Sequence, residues 1–309
     1  MEDKRQLEEA LQRERAAIVV VNTGSRKARR LVHDALERFE QHRITVLSRY
    51  QVSDGGSLQA TLRDAIAAHD CRLVVVGGGD GTVSEAVDFL AGQDRVLGLL
   101  PLGTSNNFAR TLGIPLGLDA AVDVIASGKV ADVDLGRVDG DYFANVASVG
   151  LTVDVAARVP SWTKRYFGRL GYVVTGLVAM ISQQPFHAAL TVDGVTHQLL
   201  ASQLVIANGR FHAGRPIVAR ASADDRQLIV QAIIARGRLR LIRSLVAYFA
   251  GHGDRLPDTL IVSGRELTLD CAPQQRLEID GELKATTPLR ISVAAEALNV
   301  MVPQTFEDR

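Results

Sequence analysis

The 309-residue sequence predicts an α/β N-terminal domain with a parallel sheet, followed by a mainly antiparallel β C-terminal domain. Three observations carry this expectation. In the first part, short runs of Val, Ile and Leu alternate with helical patterns, as strands buried on both faces between crossover helices do. From about Asp132 the rhythm changes to paired alternating runs around Asp-Gly, a strong hairpin signal. Three of the early apolar runs also end in small polar residues, at the carboxyl strand ends where parallel sheets bind ligands. The domains are placed at 1–131 and 132–295, with a tail of about 296–309 returning to the first.

Taken in order, "MEDKRQLEEALQRERAA" is densely charged and lacks the apolar core of a signal peptide. Leu7 and Leu11 are one turn apart and predict a short solvated helix. "IVVVN" (Ile18 to Asn22), "ITVL" (Ile44 to Leu47), "RLVVV" (Arg72 to Val76) and "VLGLL" (Val96 to Leu100) read as strands. Helical patterns fill Arg26 to Gln41, Ser57 to His69 and the stretch after Gly81, where Val83, Ala86, Val87 and Leu90 form one stripe. Thr82-Val83-Ser84-Glu85 fits a capping box. The polar strand ends Asn22 to Ser25, Gly77 to Thr82 and Gly103 to Asn107 are expected to converge on one site. In the second part, hairpins are expected at Asp139-Gly140, Asp193-Gly194 and Asp280-Gly281, with helices near Trp162 to Ser182 and Arg236 to Gly251.

Composition narrows the functional classes. A formal net charge of zero argues against a general nucleic-acid binder. Cys71 and Cys271 make neither a disulfide framework nor a zinc site, and suit a reducing cytoplasm. The longest apolar stretch, Tyr172 to Ile181, is half of the roughly 20 residues that span a bilayer. "SWTKRYFGRLGYVV" (Ser161 to Val174) and "RGRLRLIRSLVAYF" (Arg236 to Phe249) read first as helices packed on the second domain, and alternatively as interfacial helices.

"VVVGGGDGTVSEAV" (Val74 to Val87) supports two readings. It is either a tight turn leading into a capped helix, or a phosphate cradle. In the second, glycines let a ligand approach the backbone and the helix start offers free N–H groups. It has neither G-x-G-x-x-G spacing nor the Gly-Lys-Ser/Thr of a P-loop. Asp80 does not favour phosphate. It suits a Mg²⁺ held by phosphates, or bonds to neighbouring loops.

Together with "LPLGTSNNFARTLGIP" (Leu100 to Pro115), this stretch resembles the catalytic domain of diacylglycerol and sphingosine kinases, nearest in size to the bacterial soluble lipid kinases. "VVVNTGSR" (Val19 to Arg26), "ASADDRQLIV" (Ala221 to Val230) and "EIDGEL" (Glu278 to Leu283) resemble further family elements in the family's order. The resemblance implies an N-terminal fold like that of NAD kinases and phosphofructokinases, an active site in the interdomain cleft, and ATP and Mg²⁺ as cofactors. It implies nucleotide contacts at Asn22, Ser25, Gly79, Asp80, Gly81, Thr82, Val83, Ser84, Glu85 and Thr104. Glu282 is implied as general base with Asp280 beside it. A structural Mg²⁺ is implied at the Asp225 side chain and the carbonyls of Ser222 and Gln227. The chain departs from the family at Thr23 (for proline), Asn107 (for aspartate) and Arg226 (for glycine). The expected acceptor is a diacylglycerol-like lipid alcohol met at a membrane surface by a cytoplasmic, peripheral protein, with no nucleic-acid partner and a homodimer left open. The alternatives are an NAD-kinase-like kinase of a soluble metabolite and a non-catalytic nucleotide- or lipid-binding member.

Overall fold

The computed structural model describes residues 4–22, 26–52, 58–150, 184–212, 214–216, 218, 221–234 and 258–308. Ser25 and the helices expected near 162–182 and 236–251 lie outside them.

Four runs of β-branched and aliphatic residues form β1 (Ala16–Asn22), β2 (Thr45–Val52), β3 (Leu73–Gly78) and β4 (Val96–Pro101). They pair in parallel in the order β2-β1-β3-β4. Ile18, Val20, Val74, Val76 and Leu97 are completely buried, as expected of central strands covered on both faces. The crossovers run through α2 (Arg26–Gln41), α3 (Leu58–Ala68) and α4 (Asp80–Leu90), while α6 (Leu118–Ser127) packs near β4. α1 (Lys4–Glu14) buries Leu7 in the same core. The short α5 (Asn107–Thr111) follows β4.

The parallel sheet does not stop at β4. The 14-residue β18 (Leu289–Val302) lies parallel to β4 through Asn299 and Val300. It is antiparallel to β5 (Lys129–Val138) and to β15 (Glu266–Ala272). Its pairing with β5 slips between Ala294 and Leu298, and Glu296 there has φ 53°. This irregularity is what a bulge does: it bends one strand so that its two halves serve different neighbours. β15 continues to β8 (Phe186–Val192) and β9 (Val195–Ala201), so ten strands make one sheet.

A second, antiparallel sheet has six strands. In spatial order these are β14 (Thr259–Gly264), β13 (Leu228–Ile233), β10 (Gln203–Ala207), β7 (Val146–Gly150), β16 (Arg276–Ile279) and β17 (Glu282–Thr286). Its Leu204, Ile206, Val230, Leu277 and Ile279 meet Phe186, Leu190, Leu267 and Leu269 of the first sheet in a second core. All three Asp-Gly pairs form two-residue hairpin turns with both φ values positive: Asp139 49° and Gly140 107°, Asp193 44° and Gly194 85°, Asp280 44° and Gly281 100°. That is the type I′ turn, whose twist matches the flanking strands.

Candidate active site

Parallel register brings the strand ends together. Val21 of β1 lies beside Gly77, and Gly78 of β3 beside Pro101. The Leu102 amide then donates to the Gly78 carbonyl at 2.9 Å, which extends the ladder past the strand ends. The loops that follow touch backbone to backbone. A Cβ on Gly103 would lie 2.5 Å from the Gly79 Cα, and one on Gly78 would lie 2.5 Å from the Thr82 Cβ. Glycine is required at both positions by close approach, not by an unusual φ.

The helix start differs from the expected capping box. Gly79, with extended backbone, is the N-cap of α4, and no side chain caps the helix. The Val83 amide bonds to the Gly79 carbonyl at 3.0 Å, so the N–H groups of Asp80, Gly81 and Thr82 have no acceptor within the helix. Thr82 lies inside the first turn, and its hydroxyl accepts from Asn22 Nδ2 at 3.2 Å, linking the first and second loops. The local pattern placed the cap three residues late because glycine caps by backbone conformation and leaves no side-chain signature.

Asp80 joins the second loop to the third. Its Oδ1 accepts from the Asn107 amide at 2.6 Å and its Oδ2 from the Asn106 amide at 3.0 Å. Asn106, in the left-handed region at φ 48°, exchanges two hydrogen bonds with Gly103. Asn107 in turn accepts through Oδ1 from the Gly214 amide at 2.8 Å, so the second domain closes on this loop. An aspartate at this position would accept the same bond. His212 arrives on the same segment. Burial holds its imidazole below the usual pKa, with the charge of Asp80 acting the other way. Gly79 to Glu85 thus make up one helix start, and Thr104 stands exposed on the adjoining loop.

The β16–β17 turn faces α4 from the second domain. Asp280 accepts from the amides of Ala144 (3.2 Å) and Val146 (3.0 Å), and its own amide donates to the Val146 carbonyl at 3.0 Å. Burial pushes its carboxyl from 3.8 up to about 6, against those amide bonds. A folded pKa above the unfolded one gives a contribution that is complete below pH 3.8 and lost as pH rises through about 6. Denaturation midpoints measured from pH 4 to 7 are therefore expected to flatten over this window in Asp280→Asn.

Glu282 is free of such bonds to the backbone. It is exposed and lies 3.3 Å from Lys284 Nζ, on the same face of β17. Both line a cleft against α4 and the β5–β6 hairpin, with Ser84, Glu85, Asp88 and Tyr142; β6 is Asp141–Phe143. Asp88 fixes this junction by accepting the Tyr142 amide at 2.9 Å. Burial acts to lower the Lys284 pKa but is outweighed by Glu282, Asp141 and Asp88, so the ammonium persists.

Asp225, Ser222 and Gln227 lie on one turn before β13, away from this cleft. Asp225 Oδ1 accepts the Gln227 amide at 3.1 Å. Arg226 keeps a left-handed φ of 55° without being glycine, anchored by its amide on buried Asp134 (2.5 Å) and by its guanidinium on Glu296. Close by in sequence, Asp224 meets Asp132 and Asp308, where Lys4 Nζ stands 2.7 Å from Asp132 and 3.0 Å from Asp308.

The structure thus brings Asn22, Gly79 to Glu85 and Glu282 to one junction. Sequence reasoning missed Asp88, His212 and Lys284. The "GELK" spacing places Lys284 on the face of Glu282, a readable signal. Nothing local points to His212, 132 residues from Asp80.

The profile of the diacylglycerol kinase catalytic domain matches residues 16–138. The profile of the YegS C-terminal, NAD-kinase β-sandwich-like domain matches residues 145–302, half of the chain. The chain belongs to the diacylglycerol kinase and YegS-like lipid kinase family. Within this family it is 33% identical to a probable YegS-like lipid kinase of Pseudomonas fluorescens, over 81% of this chain and 84% of that one. It is 28% identical to the diacylglycerol kinase of Bacillus subtilis, over 94% of this chain and 97% of that one. A crystal structure of a putative diacylglycerol kinase from Bacillus anthracis superposes with a TM-score of 0.78 at 20% identity, covering 95% of this chain and 99% of that one. That likeness shows the shared two-part fold. Among the described residues no helix is long and apolar enough to cross a membrane.

Proposed function

We propose that the chain transfers the γ-phosphoryl group of ATP to the hydroxyl of a diacylglycerol-like lipid, working peripherally at a membrane surface in the cytoplasm. The observation that carries this reading is the junction itself. Helix α4, whose glycine-capped start leaves its first amides without an acceptor in the helix, lines through Ser84 and Glu85 a cleft that the Glu282 carboxylate of the other domain shares. Phosphoryl transfer needs positioning and charge neutralisation more than covalent chemistry. The amides of Asp80, Gly81 and Thr82 and the positive end of α4 suit the phosphates. Asn22, Ser25, Val83, Ser84, Glu85 and Thr104 complete the nucleotide's surroundings. Glu282 takes the acceptor's proton, and Lys284 stands where a cation offsets charge on the transferring group. Asp280 is a positioning residue here, because both of its oxygens hold the turn. Mg²⁺ supplied with the nucleotide would neutralise charge on its phosphates when bound. Purified protein is expected to phosphorylate diacylglycerol in mixed micelles with ATP and Mg²⁺. No transfer to any lipid, with nucleotide bound normally, would refute the reading.

A structural Mg²⁺ at Asp225 belongs to the same proposal. One carboxylate and two carbonyls are the hard oxygen donors that Mg²⁺ takes. Mg²⁺ at a hundredfold excess over its Kd is expected to stabilise the nucleotide-free protein by about 2.7 kcal/mol. Asp225→Ala removes that gain, which thermal unfolding with and without Mg²⁺ measures. An equal gain in the variant puts the ion elsewhere.

A further inference from the structure

The chain crosses from the ten-stranded sheet to the six-stranded sheet over residues 142–146, where β6 ends and β7 begins. Carboxylates clamp this crossing at both ends. At its start the Tyr142 amide donates to Asp88 Oδ1 of α4 at 2.9 Å. At its end the Ala144 and Val146 amides donate to Asp280 at 3.2 and 3.0 Å. The Asp280 amide returns a bond to the Val146 carbonyl at 3.0 Å. Between the clamps, the Asn145 carbonyl accepts the amides of Asn208 and Gly209, both at 2.9 Å, and the Ala144 carbonyl accepts Asn208 Nδ2 at 3.1 Å. Phe143, Ala144 and Asn208 are buried, and a Cβ on Gly209 would lie 3.1 Å from the Ala144 carbonyl oxygen. A buried segment bonded along its backbone and packed this closely transmits displacement and does not absorb it. It is a strut. One end rests on the helix whose start offers amides to phosphates, and the other holds the turn that presents Glu282.

We propose that Asp88 is a positioning residue for phosphoryl transfer: through the Tyr142 amide and this strut it sets where the Glu282 carboxylate stands relative to the phosphate-binding start of α4. The proposal rests on the lipid-kinase reading of that site. Asp88 lies about 12 Å along α4 from Asp80, so it acts through the backbone and not on the phosphates. It is itself held, because its Oδ2 accepts from Gln59 Nε2 of α3 at 3.4 Å. It stands in the last turn of α4, where a negative charge opposes the helix dipole. Alanine there gives the helix no local reason to unravel, so loss of the strut's anchor can be read in a folded protein. Asparagine keeps an acceptor for the Tyr142 amide and loses the charge that Asp88 directs at Lys284. The two substitutions therefore separate the bond from the charge.

The test is single-turnover transfer from ATP to 1,2-dioleoylglycerol in mixed micelles with Mg²⁺. Asp88→Ala is expected to slow transfer about ten- to hundredfold, as a misplacement of about 1 Å does. Its nucleotide Kd is expected to stay within about twofold, since only a transition-state interaction is lost. Asp88→Asn recovers most of the rate. Added to Glu282→Gln, Asp88→Ala is expected to cost less than about twofold more, because a base that is absent cannot be misplaced. Residue-resolved hydrogen exchange without substrates reads the strut itself. The Asp280 amide is expected to exchange about tenfold faster in Asp88→Ala than in wild type or Asp88→Asn, although its own partner is untouched. If that exchange quickens in a protein that phosphorylates no lipid, the strut stands and the kinase reading fails. If the wild type transfers phosphate but the losses from Asp88→Ala and Glu282→Gln simply multiply, or Asp88→Asn is as slow as Asp88→Ala, the inference is overturned and the kinase reading is untouched. Asp280 exchange that Asp88→Ala does not move overturns the inference in either case.

Discussion

Glu282→Gln is expected to lower phosphoryl transfer to lipid by about 10²–10⁴-fold, the usual contribution of a positioned general base. The fold has little reason to respond. Glu282 is exposed at the start of β17 and pairs with Lys284 at 3.3 Å. Exposed substitutions of this kind stay within about 0.5 kcal/mol. The amide keeps the shape of the side chain and its reach into the cleft, but takes up no proton. Nucleotide affinity is set by loops of the other domain and should be retained. Single-turnover transfer, measured beside nucleotide binding and unfolding temperature, checks this. Transfer at the wild-type rate would remove Glu282 from the role of base.

Asp80→Asn is expected to weaken nucleotide binding about five- to hundredfold, through the loops and without any contact of its side chain to the phosphates. The carboxylate accepts two backbone amides, from Asn106 and Asn107. Asparagine has one acceptor, so its NH₂ group must face one of those N–H groups, donor against donor. A part-buried amide left unpaired costs about 1–3 kcal/mol, and each 1.4 kcal/mol is about tenfold in affinity. The cost falls on the contact between the second and third loops, where Gly79 and Gly103 already meet with no room for a Cβ. A titration of nucleotide against both proteins decides. Unchanged affinity with a shifted Mg²⁺ dependence would show that Asp80 acts on the metal and not on the loops.

The fold was legible where it depends on local pattern. The four apolar runs from Ile18 to Leu100 became parallel strands, and the three Asp-Gly pairs became hairpins, because periodicity and turn chemistry reside in a few adjacent residues. The single ten-stranded sheet was not legible. It depends on β18 changing partners around Glu296, a long-range choice that no window of sequence displays. The site divides the same way. Glycine-rich strand ends and the "DGE" turn announced themselves, whereas the Asn107–Gly214 bond and the approach of His212 to Asp80 join segments about a hundred residues apart. Thr82 shows how a residue can be given the wrong local task by its neighbours in sequence. Its hydroxyl serves a neighbouring loop and not its own helix start.

The central claim is that the two domains share one phosphoryl-transfer site. It is tested most directly by incubating the protein with ATP labelled in its γ-phosphate and a lipid extract, and reading the lipids by mass spectrometry. The account predicts labelled phosphate on a lipid hydroxyl with wild-type protein and none with Glu282→Gln. Label that stays on nucleotide in the wild type, or that reaches lipid equally well without Glu282, would contradict it.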